Sequence, residues 1–191
     1  YALDAGNYGN LTAGLYSWKF SLPVNGFITN STASIHLDLQ GNCIIQDSTI
    51  PLHQRNSADP VNPSNIERLE EVFFANPAVI KGFVFPADVS ALDCESAAKE
   101  AFIKYGILLD KQTATAYAAS KKRSEITSDA DTTTVLIARD HPYFDKENIQ
   151  NWCAETPNVS TKILNLQKKI VPTYTLKADT KNVIELLKTF L

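Results

Sequence analysis

The sequence predicts an α/β protein whose mainly parallel sheet is covered by helices on both faces, a three-layer α/β/α arrangement. Short apolar runs, often β-branched, alternate with amphipathic stretches along most of the 191 residues. Glycine and proline separate these runs, as they commonly do at element boundaries. Because 44% of the residues are hydrophobic and 20% are charged, the chain can bury one sizeable core. We therefore expect a single domain over residues 1–191.

The N-terminal part of the chain predicts a strand, loop, helix and strand in that order. Residues 1–4 are typical of the end of a buried strand, and residues 10–20 carry leucine and tryptophan at helical spacing. A second strand is expected at residues 26–29, after a proline and an Asn-Gly pair. Two strands that are joined through a helix pair in parallel, which favours the predicted sheet.

The segment 42–65 mixes apolar and polar residues and includes the run NSADPVNPSN. We expect a long ordered loop there, or an insertion at the mouth of a site. Ser64 and Glu67 have the spacing of a capping box for the next helix, which is predicted over residues 65–74. A further strand is predicted at residues 82–85.

The second half of the chain continues the alternation. Gly106 is expected to end a helix, and Pro142 to occupy the first turn of another. A β-branched run, TVLIA, predicts a central strand. The expected order is helix 95–105, strand 107–109, helix 113–122, an acidic loop through residue 131, strand 134–138 and helix 182–191.

The charge pattern argues against nucleic-acid binding. The formal net charge is −3, whereas a surface for duplex DNA needs clustered lysine and arginine. The basic cluster at residues 121–123 falls at the predicted end of a helix, where cations interact favourably with the helix dipole. We therefore assign the cluster a structural role.

Cysteine and histidine are too dispersed for a metal site or a disulfide framework. The three cysteines, Cys43, Cys94 and Cys153, are expected to be buried or half-buried free thiols, which suits a reducing cytoplasm. No two of the three histidines have metal-ligand spacing. No run is long and apolar enough to predict a membrane span, and we expect neither a metal nor a membrane partner.

The start of the chain predicts that it is a piece of a longer polypeptide. It contains no methionine, and it opens directly with a strand-like run. Any function is therefore expected to depend also on residues that precede Tyr1. The oligomeric state cannot be derived from these patterns.

The motif GNYGN, at residues 6–10, follows the first predicted strand and precedes the first predicted helix. Glycines in such a place allow the backbone N–H groups at a helix N-terminus to approach an anion such as phosphate. The same G-x-x-G pattern also occurs in plain tight turns. Taken alone, it leaves both interpretations open.

Four segments, in order, resemble the threonine synthases. The stretch GNYGNLTAGLYSWKFSLP resembles that family's G-N-[FY]-G-[DN]-L-T-A-G…L-P-[VI] motif. The segments NPSNIERL, DKQTATAYAA and TTVLIARDHPYF resemble its S-N-[FIL]-E-R-L, D-P-H-T-A-[VT]-A-Y and L-G-T-A-H-P-A-K-F motifs. The resemblance is spread over nearly the whole chain.

The resemblance implies a fold, a cofactor and a reaction. Threonine synthases are pyridoxal 5′-phosphate enzymes of the tryptophan synthase β-like fold type II, and they convert O-phospho-L-homoserine and water into L-threonine and phosphate. This chain would be a C-terminal portion without the Schiff-base lysine, so it would hold no catalytic residue and would be inactive alone. It would need the N-terminal remainder of its polypeptide and a small phosphorylated amino acid as substrate. The implied cofactor-binding residues are Gly6, Asn7, Tyr8, Gly9, Asn10 and Arg139.

Three departures from the family pattern fall near the expected cofactor. Asp4-Ala5 replaces the usual Pro-Ser, which removes a hydroxyl and adds a carboxylate. If Asp4 faced the phosphate, repulsion of about 4 kcal/mol at 4 Å would weaken binding, although strand alternation could also turn it away. Gln112 replaces a histidine, and a neutral amide does not exchange protons near neutral pH.

The third departure is Arg139, in place of a threonine that is expected to meet the pyridine nitrogen. An arginine there would only donate, and would keep that nitrogen unprotonated. Alternatively, Arg139 pairs with Asp140 or with a ligand's phosphate. The departures favour a second hypothesis, a non-catalytic relative that binds a phosphorylated ligand. A third and generic possibility is a doubly wound domain that binds another phosphorylated ligand through residues 6–10.

Overall fold

A computed structural model describes residues 1–45, 54, 65–74, 81–126, 132–166, 173–177 and 179–190. The strands in these ranges are β1 (Phe27–Asn30), β2 (Ile35–Leu37), β3 (Cys43–Ile45) and β4 (Val84–Ala87). The α-helices are α1 (Gly9–Lys19), α2 (Ile66–Phe74), α3 (Ala91–Tyr105), α4 (Lys111–Ile126), α5 (Lys146–Cys153), α6 (Thr161–Leu166) and α7 (Thr180–Lys188).

The chain divides into two compact units, residues 1–157 and residues 158–191. The first contains all of the strands named above and the helices α1 to α5. In the second, Asp179 caps α7 by accepting from the Lys181 N–H, and the rings of Tyr174 and Phe190 meet edge to face at 5.7 Å. The predicted C-terminal helix is therefore confirmed as α7. The prediction of one domain over residues 1–191 stays a prediction.

A small parallel sheet organises the first unit, as the sequence predicted. Strands β1 and β4 pair in parallel. Ala2 adds a parallel bridge to Ile28 on one side and to Leu136 on the other. The N–H of Ala2 donates to the Val135 carbonyl at 2.9 Å, and the Ile137 N–H donates to the Ala2 carbonyl at 2.9 Å. The carboxyl ends of all four segments consequently lie at the same edge of the sheet.

Two predicted strands are wrong: one does not form, and the other is reduced to a single bridge. Residues 107–109 are not paired as a strand, and the run 134–138 pairs only through the single bridge at Leu136. Its partner segment contributes one residue, Ala2, because the chain turns into the loop before α1 directly afterwards. Val135 is accordingly 42% exposed, and the run is not a central strand of the described sheet.

Other boundaries differ in ways that local chemistry explains. Residues 81–83 are helical, so the strand predicted at 82–85 begins only at Val84. Helix α3 begins four residues before the predicted start because Ser90 caps it. The segment predicted as a loop from residue 42 begins with strand β3, which pairs antiparallel with β2. The predicted Ser64 cap and most of the loop (residues 46–53 and 55–64) lie outside the described residues.

Two clusters form the core of the first unit. The smaller lies between α3 and α4, where alanines allow close approach of the two helices. The larger packs α1 and α2 against the sheet and contains Leu3, Ala5, Tyr8, Leu11, Leu15, Phe27, Ile35, Cys43, Ile66, Leu69, Val72 and Val84.

The cysteines are free thiols, as predicted, with Cys43 and Cys94 buried and Cys153 half-buried. Burial raises the pKa of the Cys43 thiol to about 12, which keeps it protonated and unreactive at neutral pH. Among the helices that the structure describes, none combines the length and the apolar character that a bilayer crossing demands.

Candidate functional site

The loop between the Ala2 segment and α1 makes a tight, well-anchored turn. Gly6 has φ +46° and Tyr8 has φ +63°, both in the left-handed region, and the helix begins at Gly9. Tyr8 is fully buried, and its hydroxyl is hydrogen-bonded to the Thr32 hydroxyl. The Ala5 N–H donates to the Asn30 side-chain oxygen at 2.9 Å. The loop is thus held by a buried aromatic side chain and by the end of β1.

The backbone N–H groups of this loop divide into two sets. The Tyr8 N–H donates to the Ala5 carbonyl at 2.6 Å, and the Gly9 N–H donates to the Asn7 side-chain oxygen at 3.1 Å. Among the residues that the structure describes, the N–H groups of Asn7 and Asn10 have no protein acceptor. Tyr8, the N-cap of α1, makes no side-chain capping bond. The helix N-terminus therefore keeps unsatisfied donors.

A cavity of about 200 Å³ opens in front of these donors. Five of the six predicted cofactor-binding residues line it, and the sixth, Tyr8, turns its side chain into the core. The family resemblance had already placed Asp4 and Ala5 near the cofactor, whereas Ile137 and Ala138 were missed because nothing local marks them. The lining consists of Asp4, Ala5, Gly6, Asn7, Gly9, Asn10, Ile137, Ala138 and Arg139.

Asp4 faces this cavity and pairs with Arg139. Its Oδ2 lies 2.9 Å from Arg139 Nη1, and its side chain is only 12% exposed. The carboxylate also lies over Gly6, whose backbone N–H attracts it weakly and opposes a small part of the rise in its pKa. Burial raises the pKa of the Asp4 carboxyl above its ordinary value, and the Arg139 hydrogen bond opposes part of that effect. Of the two orientations considered for Asp4, the structure has the one toward the loop.

Arg139 lies between two carboxylates. Besides the contact with Asp4, its Nε is 3.7 Å from Asp140 Oδ2, and Asp140 is 51% exposed. The expected alternative partner, Asp140, is therefore the more distant and the more solvated of the two. Because exposed ion pairs contribute little, the pair with Asp4 is the one that fixes the guanidinium at the cavity.

A buried network positions the backbone of Arg139. The Arg139 N–H donates to the Thr113 hydroxyl oxygen at 3.1 Å, and the Thr113 hydroxyl in turn donates to the Asp110 carboxylate. Asp110 also accepts from the Gln112 and Thr113 N–H groups, both at 3.1 Å, as an N-cap of α4 does. The D-x-x-T spacing of Asp110 and Thr113 was a detectable signal for this network. Gln112 takes part through its main chain and does not line the cavity.

Asn65 is a further polar residue at the loop. It is buried, it accepts a hydrogen bond from Arg68, and its Nδ2 lies 3.5 Å from the position that a Cβ on Gly9 would take. A side chain at Gly9 would also approach the Asn7 oxygen to 3.2 Å. A Cβ at Gly9 would therefore make ordinary contact with Asn65 but would crowd the Asn7 oxygen that accepts from the Gly9 N–H.

The donors around the cavity fit a phosphate group. Unsatisfied N–H groups at a helix N-terminus and an arginine are the groups that phosphate prefers in proteins. None of the described residues that line the cavity is a lysine, so this part of the chain offers no amine for a cofactor's aldehyde. Across the described residues there is also no cluster of three or more potential metal ligands.

Comparisons with curated proteins identify two similar sequences, both threonine synthases. The enzyme of Buchnera aphidicola subsp. Acyrthosiphon pisum is 34% identical over 118 residues, which are 61% of this chain and 27% of that protein. The enzyme of Buchnera aphidicola subsp. Baizongia pistaciae is 26% identical over 180 residues, 93% of this chain and 40% of that protein. The chain thus spans less than half the length of each. No family model matches the sequence.

Solved threonine synthase structures share the fold. The Escherichia coli enzyme aligns over 99% of this chain and 43% of its own length, with a TM-score of 0.60 and 21% identity. The Brucella melitensis enzyme, solved with PLP bound, aligns over 99% and 46%, with a TM-score of 0.57 and 15% identity. The yeast enzyme aligns over 97% and 46%, with a TM-score of 0.52 and 15% identity.

Proposed function

We propose that this chain, which is similar to threonine synthases in sequence and in fold, is part of a pyridoxal 5′-phosphate-dependent threonine synthase. The complete polypeptide would convert O-phospho-L-homoserine and water into L-threonine and phosphate. Within it, the small parallel sheet would belong to a larger three-layer α/β/α domain of fold type II. The free, largely buried thiols agree with a cytoplasmic location.

The observation that supports this proposal most is the cavity in front of the N-terminus of α1. The free N–H groups of Asn7 and Asn10 and the guanidinium of Arg139 surround a space of about 200 Å³. A helix N-terminus attracts anions through its unpaired N–H groups and its dipole. The loop at residues 6–10 is therefore the proposed site for the phosphate group of the cofactor.

Each described residue of the site has a role that follows from its contacts. Asn7 and Asn10 would hold the phosphate through their free N–H groups, Gly6 and Gly9 line the cavity without a Cβ, and buried Tyr8 keeps the loop in place. Pyridoxal 5′-phosphate supplies an electron sink for carbanionic chemistry when it is bound. The amine that binds its aldehyde would come from the remainder of the polypeptide, and we propose that this chain holds no catalytic residue.

A second candidate is a relative that binds a phosphorylated ligand without catalysis. It is favoured by the Asp4–Arg139 ion pair, which places a carboxylate in the phosphate cavity and a permanent cation beside it. Arginine donates hydrogen bonds and accepts none, so it cannot support a protonated ring nitrogen as a hydroxyl can.

The two candidates are separated by an assay on the complete polypeptide. O-phospho-L-homoserine is added in the presence of pyridoxal 5′-phosphate, and released phosphate and L-threonine are measured. The enzyme hypothesis expects both products in equal amounts. Cofactor binding without phosphate release would instead support the non-catalytic relative. Absence of cofactor binding, tested by absorbance after gel filtration, would contradict the enzyme hypothesis.

A triple variant sharpens that assay. Ala5→Ser, Gln112→His and Arg139→Thr together restore one expected residue at each of the three departures and leave Asp4 in place. If the native polypeptide is inactive and the triple variant releases phosphate, the chain is a relative whose chemistry was lost through these positions. If the native polypeptide already turns over, the departures are compatible with catalysis and the second candidate is wrong.

A further inference from the structure

The Asp4 carboxylate occupies the kind of position that a bound anion takes. It accepts a hydrogen bond from Arg139 Nη1 at 2.9 Å, it is attracted weakly by the Gly6 N–H, and its side chain is 12% exposed. A guanidinium and a backbone N–H at a helix N-terminus are also the groups that would bind a ligand's phosphate. Among the described residues that line the cavity, Asp4 is the one that carries a carboxylate.

The ion pair also covers the loop sterically. A Cβ on Gly6 would lie 2.6 Å from Arg139 Nη1 and 3.0 Å from Asp4 Oδ2. Both charged groups are therefore packed directly over Gly6. A phosphate oxygen cannot occupy this space over Gly6 until the carboxylate and the guanidinium move aside.

The charges around Arg139 strengthen this effect. Asp4 and Asp140 flank its guanidinium, so the three groups together carry one negative charge. Asp110, behind the Thr113 hydroxyl, adds a repulsive interaction with Asp4. An approaching phosphate thus meets a carboxylate at the cavity and a cation that is already neutralised.

We propose that Asp4 is an internal anion that competes with a ligand's phosphate group for Arg139 and for the space over Gly6. The proposal rests on the proposed function, because it assumes that the loop is a phosphate site, and it adds the residue that sets the affinity. Phosphate binds after Asp4 has released Arg139 and left the space over Gly6. Neutralising Asp4 frees the Arg139 Nη1 and raises the summed charge of Asp4, Arg139 and Asp140 from one negative charge to zero.

The test measures phosphate binding to the 191-residue chain by ¹H–¹⁵N NMR of the Gly6, Asn7 and Asn10 amides. Inorganic phosphate is titrated into the native chain and into Asp4→Asn, with Asp4→Ala as a second variant if the amide does not fold. Asp140→Asn is the matched control, since it removes the other carboxylate beside Arg139 but lies outside the cavity lining. Pyridoxal 5′-phosphate and pyridoxal, which lacks the phosphate, are titrated in parallel.

We expect Asp4→Asn to lower the Kd for inorganic phosphate by about 10-fold to 100-fold, within the range that one unit charge produces at such distances. Asp140→Asn should change it by less than about threefold, because its carboxylate is solvated. Equal affinity of the native chain and both Asp4 variants would overturn the proposal, as would amides that shift in none of them.

The titrations with pyridoxal 5′-phosphate and with pyridoxal distinguish failure of the internal anion from failure of the cofactor assignment. If inorganic phosphate binds more tightly to Asp4→Asn but pyridoxal 5′-phosphate binds no better than pyridoxal, the internal anion stands and the cofactor assignment fails. If pyridoxal 5′-phosphate binds equally to the native chain and to Asp4→Asn, and pyridoxal does not bind, the cofactor assignment stands and the internal anion fails.

Discussion

Two junctions at the same edge of the sheet differ in how they start a helix. Helix α1 follows the Ala2 segment and begins without a side-chain cap, with free N–H groups facing a cavity. Helix α3 follows β4 and begins with a complete capping box between Ser90 and Asp93. The Asp93 N–H donates to Ser90 Oγ at 3.2 Å, and the Ser90 N–H donates to Asp93 Oδ2 at 2.8 Å.

Each junction also contains a carboxylate paired with a cation, in a different place. Asp93 is in the first turn of α3 and pairs with Lys122 at 2.7 Å in solvent. Asp4 precedes α1 and pairs with Arg139 inside the cavity lining. The first arrangement satisfies the Asp93 N–H with a side-chain cap and places a carboxylate in the first turn, where it would repel a second anion. The second leaves donors that an anion can use, so the comparison separates a structural helix start from a candidate binding site.

The largest expected effect concerns Tyr8, which anchors the uncapped junction before α1 (the open junction). Tyr8→Ala removes a fully buried aromatic side chain and should lower the free energy of unfolding by about 3–5 kcal/mol. Tyr8→Phe isolates the hydroxyl that bonds Thr32 and should cost about 1–2 kcal/mol. Urea unfolding followed by tryptophan fluorescence measures both. A loss below about 1 kcal/mol for Tyr8→Ala would show that the loop does not depend on this anchor.

Thr113→Val tests the network that supports the open junction from α4. Removing the hydroxyl leaves the Arg139 N–H without its acceptor and Asp110 without one donor, in a buried place. We expect a loss of about 1–3 kcal/mol in stability and a severalfold weaker affinity for phosphate, because Arg139 loses its position.

Thr115→Val is the matched control for that variant. The half-buried Thr115 hydroxyl, on the same helix, donates to the Lys111 carbonyl at 2.8 Å and lies 3.5 Å from the Cys94 sulfur, away from Arg139, so the expected loss is about 0.5–1 kcal/mol. The support from α4 would be refuted if Thr113→Val weakened stability but left phosphate affinity equal to that of the control.

Ser90→Ala tests the capped junction before α3 (the closed junction). Loss of the capping oxygen should lower the free energy of unfolding by about 1 kcal/mol and leave phosphate affinity unchanged. Thermal unfolding and the phosphate titration measure the two quantities on one sample. A change in phosphate affinity would mean that the two helix starts are coupled, and the comparison would then no longer separate structure from binding.

The sequence predicted the open junction better than the closed one. Two glycines between a short apolar run and an amphipathic helix marked residues 6–10. The capping box at Ser90 has aspartate at the N3 position, where glutamate is the more familiar signal, and was missed. The parallel pairing of β1 was predictable from the intervening helix. The length of the strand near Leu136 was not, because it depends on a partner segment that is one residue long.

The partner of Asp4 could not be predicted from the sequence. Arg139 is 135 residues away from Asp4 in the sequence. The two meet because Ala2, just before Asp4, forms a parallel bridge to Leu136, just before Arg139. Local pattern left the direction of Asp4 open, since alternation holds within a strand and Asp4 lies past its last paired residue. Long-range contacts at the carboxyl edge of a sheet are set by topology, which single-sequence patterns do not specify.

The smallest expected effect is that Asp93 and Asp4 change the pH dependence of stability in opposite directions. Hydrogen bonds from Lys122 and Ser90 lower the pKa of Asp93 below its ordinary value of 3.8, so its contribution to stability is present above that value and is lost as the pH falls below it. Burial raises the pKa of Asp4, so the folded state binds its proton more readily than the unfolded chain, and stability falls as the pH rises from 3.8 through the folded value.

Unfolding free energies of the native chain, Asp93→Asn and Asp4→Asn, measured between about pH 3 and about pH 6, test these signs. The advantage of the native chain over Asp93→Asn should grow with pH, and its advantage over Asp4→Asn should shrink. If both advantages grew with pH, the effect of Arg139 on the pKa of Asp4 would outweigh the effect of burial. The carboxylate would then be held as firmly as a structural cap, and a ligand's phosphate would have little prospect of displacing it.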